Sequence, residues 1–161
     1  MATANKNLFN YDKSTLPKAV DLKIGMVVSE WNIEITQDLA KGASETLLSC
    51  GVKESNIFVE YVPGSFELVF AAKKAQSKDL DAIIAIGCII QGQTKHFDFV
   101  CQGVTQGIKD LNVLYNTPVI FCVLTDETLQ QSIDRSGGKY GNKGIEAAVT
   151  AVKMAALSKT Q

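Results

Sequence analysis

The stretch DAIIAIGCII, residues 81–90, decides the fold of this chain. After its first residue it contains only apolar residues and one glycine, with no alternation between polar and apolar positions. A strand that faces water on one side shows such alternation, whereas a parallel strand covered on both faces reads as a continuous apolar run. The stretch therefore predicts a strand inside a sheet with helices on both faces.

Strand and helix patterns alternate on either side of this stretch. Three further segments predict strands: LKIGMVVSEWN (22–32), which should end near Ser29, NIFVEYVPG (56–64), and PVIFCVL (118–124), which also reads as buried on both faces. Helical spacing of apolar residues predicts helices over about 35–50, from an N-cap at Ser65 to about Ser77, over 97–115, over 126–135 and over 145–157. Alternating strands and helices imply right-handed crossovers and a parallel sheet. The predicted fold is a single doubly wound α/β domain.

Length and charge narrow the possible functions. The chain has 161 residues and a net charge of −1, with 16 basic and 17 acidic residues, so no bulk field favours nucleic acid or an anionic membrane. No apolar stretch approaches the ~20 residues of a membrane span, and the polar start MATANKNLFNYDKS lacks a signal-peptide core. We expect residues 1–20, with Pro17, to form a flexible arm before a domain over 21–161, and the cytoplasm as the location.

The four cysteines, Cys50, Cys88, Cys101 and Cys122, have no CxxC spacing and lie in apolar surroundings such as IGCII and IFCVL. Two disulfides or a zinc site are formally possible, but buried free thiols are the favoured interpretation without a secretory signal. A cysteine nucleophile would need a basic partner, and the chain has one histidine.

In a sheet of this kind, ligands bind beyond the carboxyl ends of the strands, near the point where the strand order switches. Four segments leave those ends: SEWN (29–32), VPGSFE (62–67), IIQGQTKHF (89–97) and LTDET (124–128). They bring an aromatic residue, polar groups around a helix start and the single histidine to one edge. This edge is the candidate site.

Each candidate residue also has an ordinary structural interpretation. Trp31 fits the core or a surface on which a planar ring stacks. Glu67 suits the first turn of a helix because of the helix dipole, or it hydrogen-bonds a polyol or imide. Thr94 is either an N-cap or, with Gly92 and Gln93, part of an anion site at a helix N-terminus.

Arg135 and His96 are equally open on sequence alone. Arg135 is either a solvated arginine or a bidentate phosphate ligand. His96 is either a helix-start residue or a proton-transfer group, which Asp98 or Glu67 could tune, since imidazoles titrate near neutral pH. GGKYGNKG (137–144) does not match a phosphate-binding GxxxxGK[ST] loop, and GxGxxG, HExxH and EF-hand patterns are missing, so no metal or nucleotide cofactor is indicated.

The segments SEWN, VPGSFE, AIGCIIQGQTKHFDFVCQGVTQGI, PVIFCVLTDETLQQSIDR and GNKGIEAA, in this order, resemble the lumazine synthases from about Leu22 to Leu157. The resemblance implies a flavodoxin-like three-layer sandwich and an enzyme of riboflavin biosynthesis without a metal or organic cofactor. It implies the condensation of 5-amino-6-(D-ribitylamino)uracil with 3,4-dihydroxy-2-butanone 4-phosphate, with loss of phosphate and water. It also implies a homo-oligomer built on pentamers with sites at subunit interfaces, and possible coupling to riboflavin synthase.

Carried over by position, the resemblance assigns a role to each candidate residue. Trp31 would stack on the pyrimidinedione, and His96 would transfer protons. The pyrimidine and ribityl chain would be bound by Ser65, Phe66, Glu67, Cys88, Ile89 and Ile90. The phosphate would be held by Gln93, Thr94 and Arg135, with Glu146 pairing with Arg135; Phe121 would come from a neighbouring subunit.

Two positions depart from the family pattern. Gln91 stands where an arginine is common, and Gln93 stands where a small or acidic residue is frequent; neither change removes a named catalytic group. Three other functions remain alternatives to lumazine synthesis: an archaeal-type riboflavin synthase, a flavin-binding module of flavodoxin type and a catalytically idle shell protein.

Overall fold

The computed structural model describes residues 11–159 and contains a four-stranded, all-parallel sheet in the order β2-β1-β3-β4. Its strands are β1 (Ile24–Ser29), β2 (Ile57–Val62), β3 (Ala82–Ile90) and β4 (Val119–Asp126). The helices are α1 (Ile33–Ser49), α2 (Leu68–Gln76), α3 (His96–Leu114), α4 (Leu129–Arg135) and α5 (Lys143–Lys159). The predicted three-layer α/β sandwich is confirmed.

β3 is buried as its sequence predicts, with eight of its nine residues buried and the last half-buried. Ile84 and Ile86 point into one core layer, which the sheet shares with α1 and α5. Ile83 and Ala85 point into the other, which it shares with α2 and α3. Because successive side chains of a strand point to opposite faces, a strand between two helical layers needs apolar residues at every position.

The prediction that the fourth strand, over residues 118–124, is buried on both faces is wrong at Phe121. β4 pairs with β3 on one side and lies at the edge of the described sheet. Phe121 is 42% exposed, and Thr125, which lies in β4 just beyond the predicted range, is exposed as well. An edge strand lacks a neighbour whose side chains would complete the cover, so an apolar sequence alone overstates its burial.

Two helix starts differ from the sequence-based prediction. α2 begins at Leu68 with Glu67 in the N-cap position, and the Ser65 hydroxyl makes no hydrogen bond there, so the predicted serine cap is wrong. α3 has Lys95 in the N-cap position rather than Thr94, although the Thr94 hydroxyl accepts a long bond of 3.4 Å from the His96 N–H. The predicted end of α1 is confirmed, since Gly51 adopts a left-handed φ of +97°.

The predicted glycine-rich turn is a small antiparallel hairpin of β5 (Ser136–Gly138) and β6 (Gly141–Asn142). The Asn142 side chain connects it to its surroundings. Its Nδ2 donates to the Asp38 and Ser136 carbonyls at 2.8 and 3.0 Å, and its Oδ1 accepts from the Gly144 N–H at 2.7 Å. These bonds fix the hairpin against α1 and the start of α5.

Half of the expected N-terminal arm, residues 1–10, lies outside the described residues. In the described half, Lys13–Thr15 form a 3-10 turn and Ala19 is buried in the core. The division into an arm and a domain therefore stays a prediction. Among residues 11–159, no helix combines the length and apolar character needed to cross a bilayer.

Candidate active site

The strand order creates a crevice between the carboxyl ends of β1 and β3, because the chain passes from β1 to β2 on one side and then returns to β3 on the other. A cavity of about 410 Å³ lies there, which we call the histidine cavity. Its lining residues are Trp31, Ser65, Cys88, Ile89, Ile90, Gly92, Thr94, His96, Phe97 and Val100. Seven of the predicted site residues are thus brought together.

Trp31 supplies a flat surface at this cavity. The residue follows β1, is 71% exposed and donates its backbone N–H to the Pro63 carbonyl at 3.1 Å. An exposed indole on a fixed backbone can stack against a planar ligand with little further ordering. The core interpretation of Trp31 is therefore wrong.

Asn32 is a structural residue of the site that sequence reasoning missed. It adopts a left-handed conformation (φ 57°, ψ 47°), and its Nδ2 donates to the Cys88 carbonyl at 3.0 Å. The bond ties the exit of β1 to the exit of β3. Its signal was an asparagine between a strand and a helix, since asparagine tolerates left-handed backbone better than most residues.

Ser65 places a hydroxyl in the same cavity. The residue is 6% exposed, and its Oγ finds no hydrogen-bond partner among the described residues. Gly87 of β3 makes room for it, because a Cβ at position 87 would lie 2.7 Å from that Oγ. Buried polar atoms are normally paired, so an unpaired hydroxyl in a cavity wall favours a ligand as its partner. Gly87 was also missed, hidden inside an apolar run.

The other end of the histidine cavity is the N-terminus of α3. Thr94 and His96 are exposed and line the cavity next to Gly92. The first N–H groups of a helix lack intrahelical partners and carry the positive end of the helix dipole, which suits an anion. The carboxylates expected to tune the histidine, Asp98 and Glu67, do not line this cavity, so that role stays a prediction.

Three further predicted residues lie beside the cavity rather than in its wall. Phe66 is 58% exposed, and its ring packs on α3, where a Cβ at Gly103 would come within 2.7 Å of it. Glu67 is exposed at the start of α2, and Gln93 is exposed between Gly92 and Thr94. All three are within a few residues of the wall and accessible to a larger ligand.

Phe121 and Arg135 belong to a different part of the surface. They line a cavity of about 590 Å³ along the open side of β4, together with Asp126, Lys143 and Glu146, which we call the arginine cavity. Sequence reasoning grouped Arg135 with Gln93 and Thr94, but within one chain the arginine lies in the cavity of Phe121. The rule that ligands bind at the carboxyl ends of the strands identifies the end of the sheet where a site lies. It does not distinguish the crevice between β1 and β3 from the open side of β4.

The expected pairing of Arg135 with Glu146 is also wrong. Glu146 accepts two hydrogen bonds of 2.8 Å from Lys143, which lies one helical turn earlier in α5. Arg135 instead has its Nε 3.8 Å from Asp126 Oδ1 and donates from Nη1 to the Gln131 carbonyl at 2.9 Å. Its guanidinium carbon lies 5.2 Å from the centre of the Tyr140 ring.

All four cysteines are free, as predicted; Cys88 and Cys122 are buried, whereas Cys50 and Cys101 are only half-buried. Burial raises the pKa of the Cys122 thiol to about 12 and also raises the pKa of Cys88. Thiols act as nucleophiles in the thiolate form, so these environments disfavour a cysteine nucleophile.

The fold and the site together indicate the class of protein, an enzyme that joins two small molecules. A flavodoxin-like sheet carries a stacking surface, an unpaired hydroxyl, a helix N-terminus and a histidine around one cavity, which suits joining a planar ring compound to an anionic partner. The model of the 6,7-dimethyl-8-ribityllumazine synthase family matches residues 21–159. The chain therefore belongs to this family.

Bacterial relatives agree over nearly the whole chain. The 6,7-dimethyl-8-ribityllumazine synthase of Flavobacterium johnsoniae is 64% identical, over 96% of this chain and 82% of the relative. That of Flavobacterium psychrophilum is 60% identical, over 98% and 84%. That of Christiangramia forsetii is 60% identical, over 99% and 96%.

Proposed function

We propose that the histidine cavity and the arginine cavity are two halves of one active site, contributed by neighbouring copies of the chain. The protein is a transferase of riboflavin biosynthesis. It condenses 5-amino-6-(D-ribitylamino)uracil with 3,4-dihydroxy-2-butanone 4-phosphate to 6,7-dimethyl-8-ribityllumazine, releasing phosphate and water.

The composition of the two cavities supports this shared site. Among residues 11–159, no lysine or arginine lines the histidine cavity, although one substrate is a phosphate ester. The arginine cavity has Arg135 and Lys143, together with an exposed aromatic ring, Phe121, on an edge strand. In a ring of identical subunits, a head-to-tail interface sets one surface of each copy against a different surface of the next. We propose that this ring is a pentamer. It would place the cationic side chain of Arg135 from one copy beside His96 of the next.

The roles proposed for the residues are those that the family resemblance implies, and the places of the residues in the two halves support them. In the histidine cavity, Trp31 stacks on the pyrimidinedione, and the Ser65 hydroxyl and the backbone of residues 88–90 bind its polar edge. Phe66 and Glu67 meet the ribityl chain beside the wall. The phosphate lies at Gln93 and Thr94 on the N-terminus of α3, and the neighbour's Arg135 closes over it. Phe121 of that neighbour covers the ring substrate.

The chemistry requires proton transfers more than a side-chain nucleophile. The amine of the pyrimidine attacks the ketone, and a first water leaves to form an imine. Phosphate is then eliminated, and the second amine attacks the remaining carbonyl and closes the ring with loss of a second water. Holding two reactants in place can lower a barrier by up to about 7–11 kcal/mol. An acid–base group typically contributes about 10²–10⁴-fold. His96 moves protons, while orientation supplies the larger share.

The observation that carries the proposal is that Trp31, Ser65 and His96 line one cavity at the switch point of the sheet. Its test is lumazine formation, followed by absorbance with the two substrates. We expect product from the native protein and a His96→Ala rate about 10²–10⁴-fold lower but measurable. Lys41→Ala, on the exposed face of α1, serves as control and should retain the native rate. A folded His96→Ala protein with native turnover would refute the assigned role.

Subunit mixing tests the shared site directly. His96→Ala and Arg135→Ala subunits, refolded together in equal amounts, form rings in which about a quarter of the interfaces pair an intact His96 with an intact Arg135. We expect activity to recover towards that fraction of the native level. If both residues served the same site from one subunit, no site would be intact and mixing would restore nothing.

We further propose that the enzyme works in the cytoplasm and is functionally coupled to riboflavin synthase, which consumes its product. The first statement rests on the free thiols in apolar surroundings, and the second rests on the family resemblance.

A further inference from the structure

A buried chain of polar contacts ends at Arg135. The Cys88 thiol lies 3.3 Å from the Ser132 hydroxyl, which donates to Asp126 Oδ2 at 2.8 Å. The other carboxylate oxygen, Oδ1, lies 3.8 Å from Arg135 Nε. Cys88, Ser132 and Asp126 are 1%, 0% and 8% exposed. This series of polar contacts thus crosses the interior from the end of β3 through α4 to the end of β4.

A carboxylate beside an arginine that binds phosphate needs an explanation, because its negative charge opposes the phosphate. The geometry supplies one. Ser132 holds Oδ2, which fixes the rotamer of Asp126 and directs Oδ1 to the inner, Nε side of the guanidinium. The Gln131 carbonyl holds Nη1 at 2.9 Å, and the Tyr140 ring lies alongside. Within residues 11–159, the polar contacts of the guanidinium are made at Nε and Nη1. Arginine has five donors in a rigid fork, so these contacts leave Nη2 for a ligand.

We propose that Ser132 and Asp126 are positioning residues for the condensation: they aim the Arg135 guanidinium at the phosphate of the ketone substrate. This inference rests on the proposed role of Arg135 as a phosphate ligand. Ser132 acts through Asp126, and neither touches the reacting atoms. Their loss should therefore affect the KM for the phosphorylated substrate much more than kcat or the KM for the pyrimidine.

Ser132→Ala is the sharpest variant, because it releases the carboxylate rotamer while the charge of Asp126 stays. We expect the KM for the ketone phosphate to rise about 3- to 10-fold, and the Ki of inorganic phosphate to rise equally, corresponding to one hydrogen bond. The pyrimidine KM and kcat should change less than about twofold. Ser49→Ala is the matched control, since it also removes a serine hydroxyl from a helix, one that donates to the Thr46 carbonyl and lies away from both cavities.

The same substitution is then made in an Arg135→Ala background. If Ser132 acts through the arginine, it has no further effect on either constant there, because interacting residues are non-additive. An equal rise in both backgrounds, or no rise with native Arg135, overturns the inference. If Arg135→Ala itself leaves the KM for the ketone phosphate unchanged, the proposed phosphate role has failed instead. If Ser132→Ala does not fold, the isosteric Asp126→Asn is measured instead. Whether it raises or lowers the KM for the ketone phosphate, that change must disappear in the Arg135→Ala background, and a change that persists there overturns the inference.

Discussion

Replacement of Gly144 by alanine should destabilise the protein through one backbone contact. Gly144 lies in the first turn of α5 against α1, where an added Cβ would be 1.9 Å from the Leu39 carbonyl oxygen and 2.9 Å from Asn142 Oδ1. Ordinary contact begins near 3.4 Å. The two helices would have to separate by about 1.5 Å, because a backbone carbonyl cannot swing away as a side-chain end can.

The expected size follows from two opposing terms. Inserting a methyl group into a packed region costs about 1–3 kcal/mol, and the backbone obstacle places this site at the upper end. Alanine favours a helix over glycine by about 1 kcal/mol, which offsets part of the cost. We therefore expect a net loss of about 2 kcal/mol in the free energy of unfolding. At an m-value of about 2 kcal/mol/M, the urea midpoint falls by about 1 M.

Urea unfolding followed by circular dichroism, at one fixed subunit concentration, measures this shift. The concentration must be held constant because assembly contributes to apparent stability. Gly103→Ala on α3 is the matched control, since its added Cβ meets the ring of Phe66, a 58% exposed side chain that can rotate. Its midpoint should stay the same or rise. A Gly144→Ala midpoint equal to the native value would refute the steric reasoning.

Three further predictions concern single side chains. Trp31→Ala should raise the KM for the pyrimidine about tenfold, since aromatic stacking contributes about 1–1.5 kcal/mol, whereas Trp31→Phe should stay within about threefold; equal values for both variants in steady-state kinetics would contradict a stacking role. Cys122 should resist iodoacetamide at pH 8, because a pKa of about 12 leaves roughly one thiolate in 10⁴; mass spectrometry showing rapid labelling of the native protein would contradict this. Glu60 accepts hydrogen bonds from Lys78 and Lys74, and these bonds lower the pKa of its carboxyl group. Their contribution to the free energy of unfolding is therefore present above the ordinary glutamate pKa of 4.5 and is lost as the pH falls through the lowered pKa. Glu60→Gln should therefore cost less than about 1 kcal/mol at pH 7, because the pair is exposed, and nothing near pH 2; a difference in urea midpoint that persists there would disprove the ion-pair origin.

The sequence predicted the inner strands well because their constraint is severe. β1 and β3 are covered on both faces, so their composition alone identifies them. Edge strands obey a weaker rule: β4 has the same apolar appearance yet exposes Phe121. The cap at Ser65 failed for a similar reason, because a serine before a helix can cap it or turn its hydroxyl into a cavity.

The sequence correctly predicted which residues share a cavity where those residues leave inner strands, but it did not predict the partners of long charged side chains. Trp31 and His96 line the same cavity because the carboxyl ends of β1 and β3 are neighbours. Arg135 had several partners within reach, and sequence spacing did not identify Asp126 as one of them. Glu146 paired with Lys143 instead, since two residues one turn apart on a helix meet without any tertiary arrangement.

The separation of the histidine and arginine cavities has a consequence for counting functional units. If each site needs one face from each of two adjacent copies, an open row of subunits always has one unmatched half at either end. A monomer then has no working site, and a row of five has four. Only closure of the ring makes the number of sites equal to the number of chains, so the last interface to form adds a whole catalytic centre without adding a subunit.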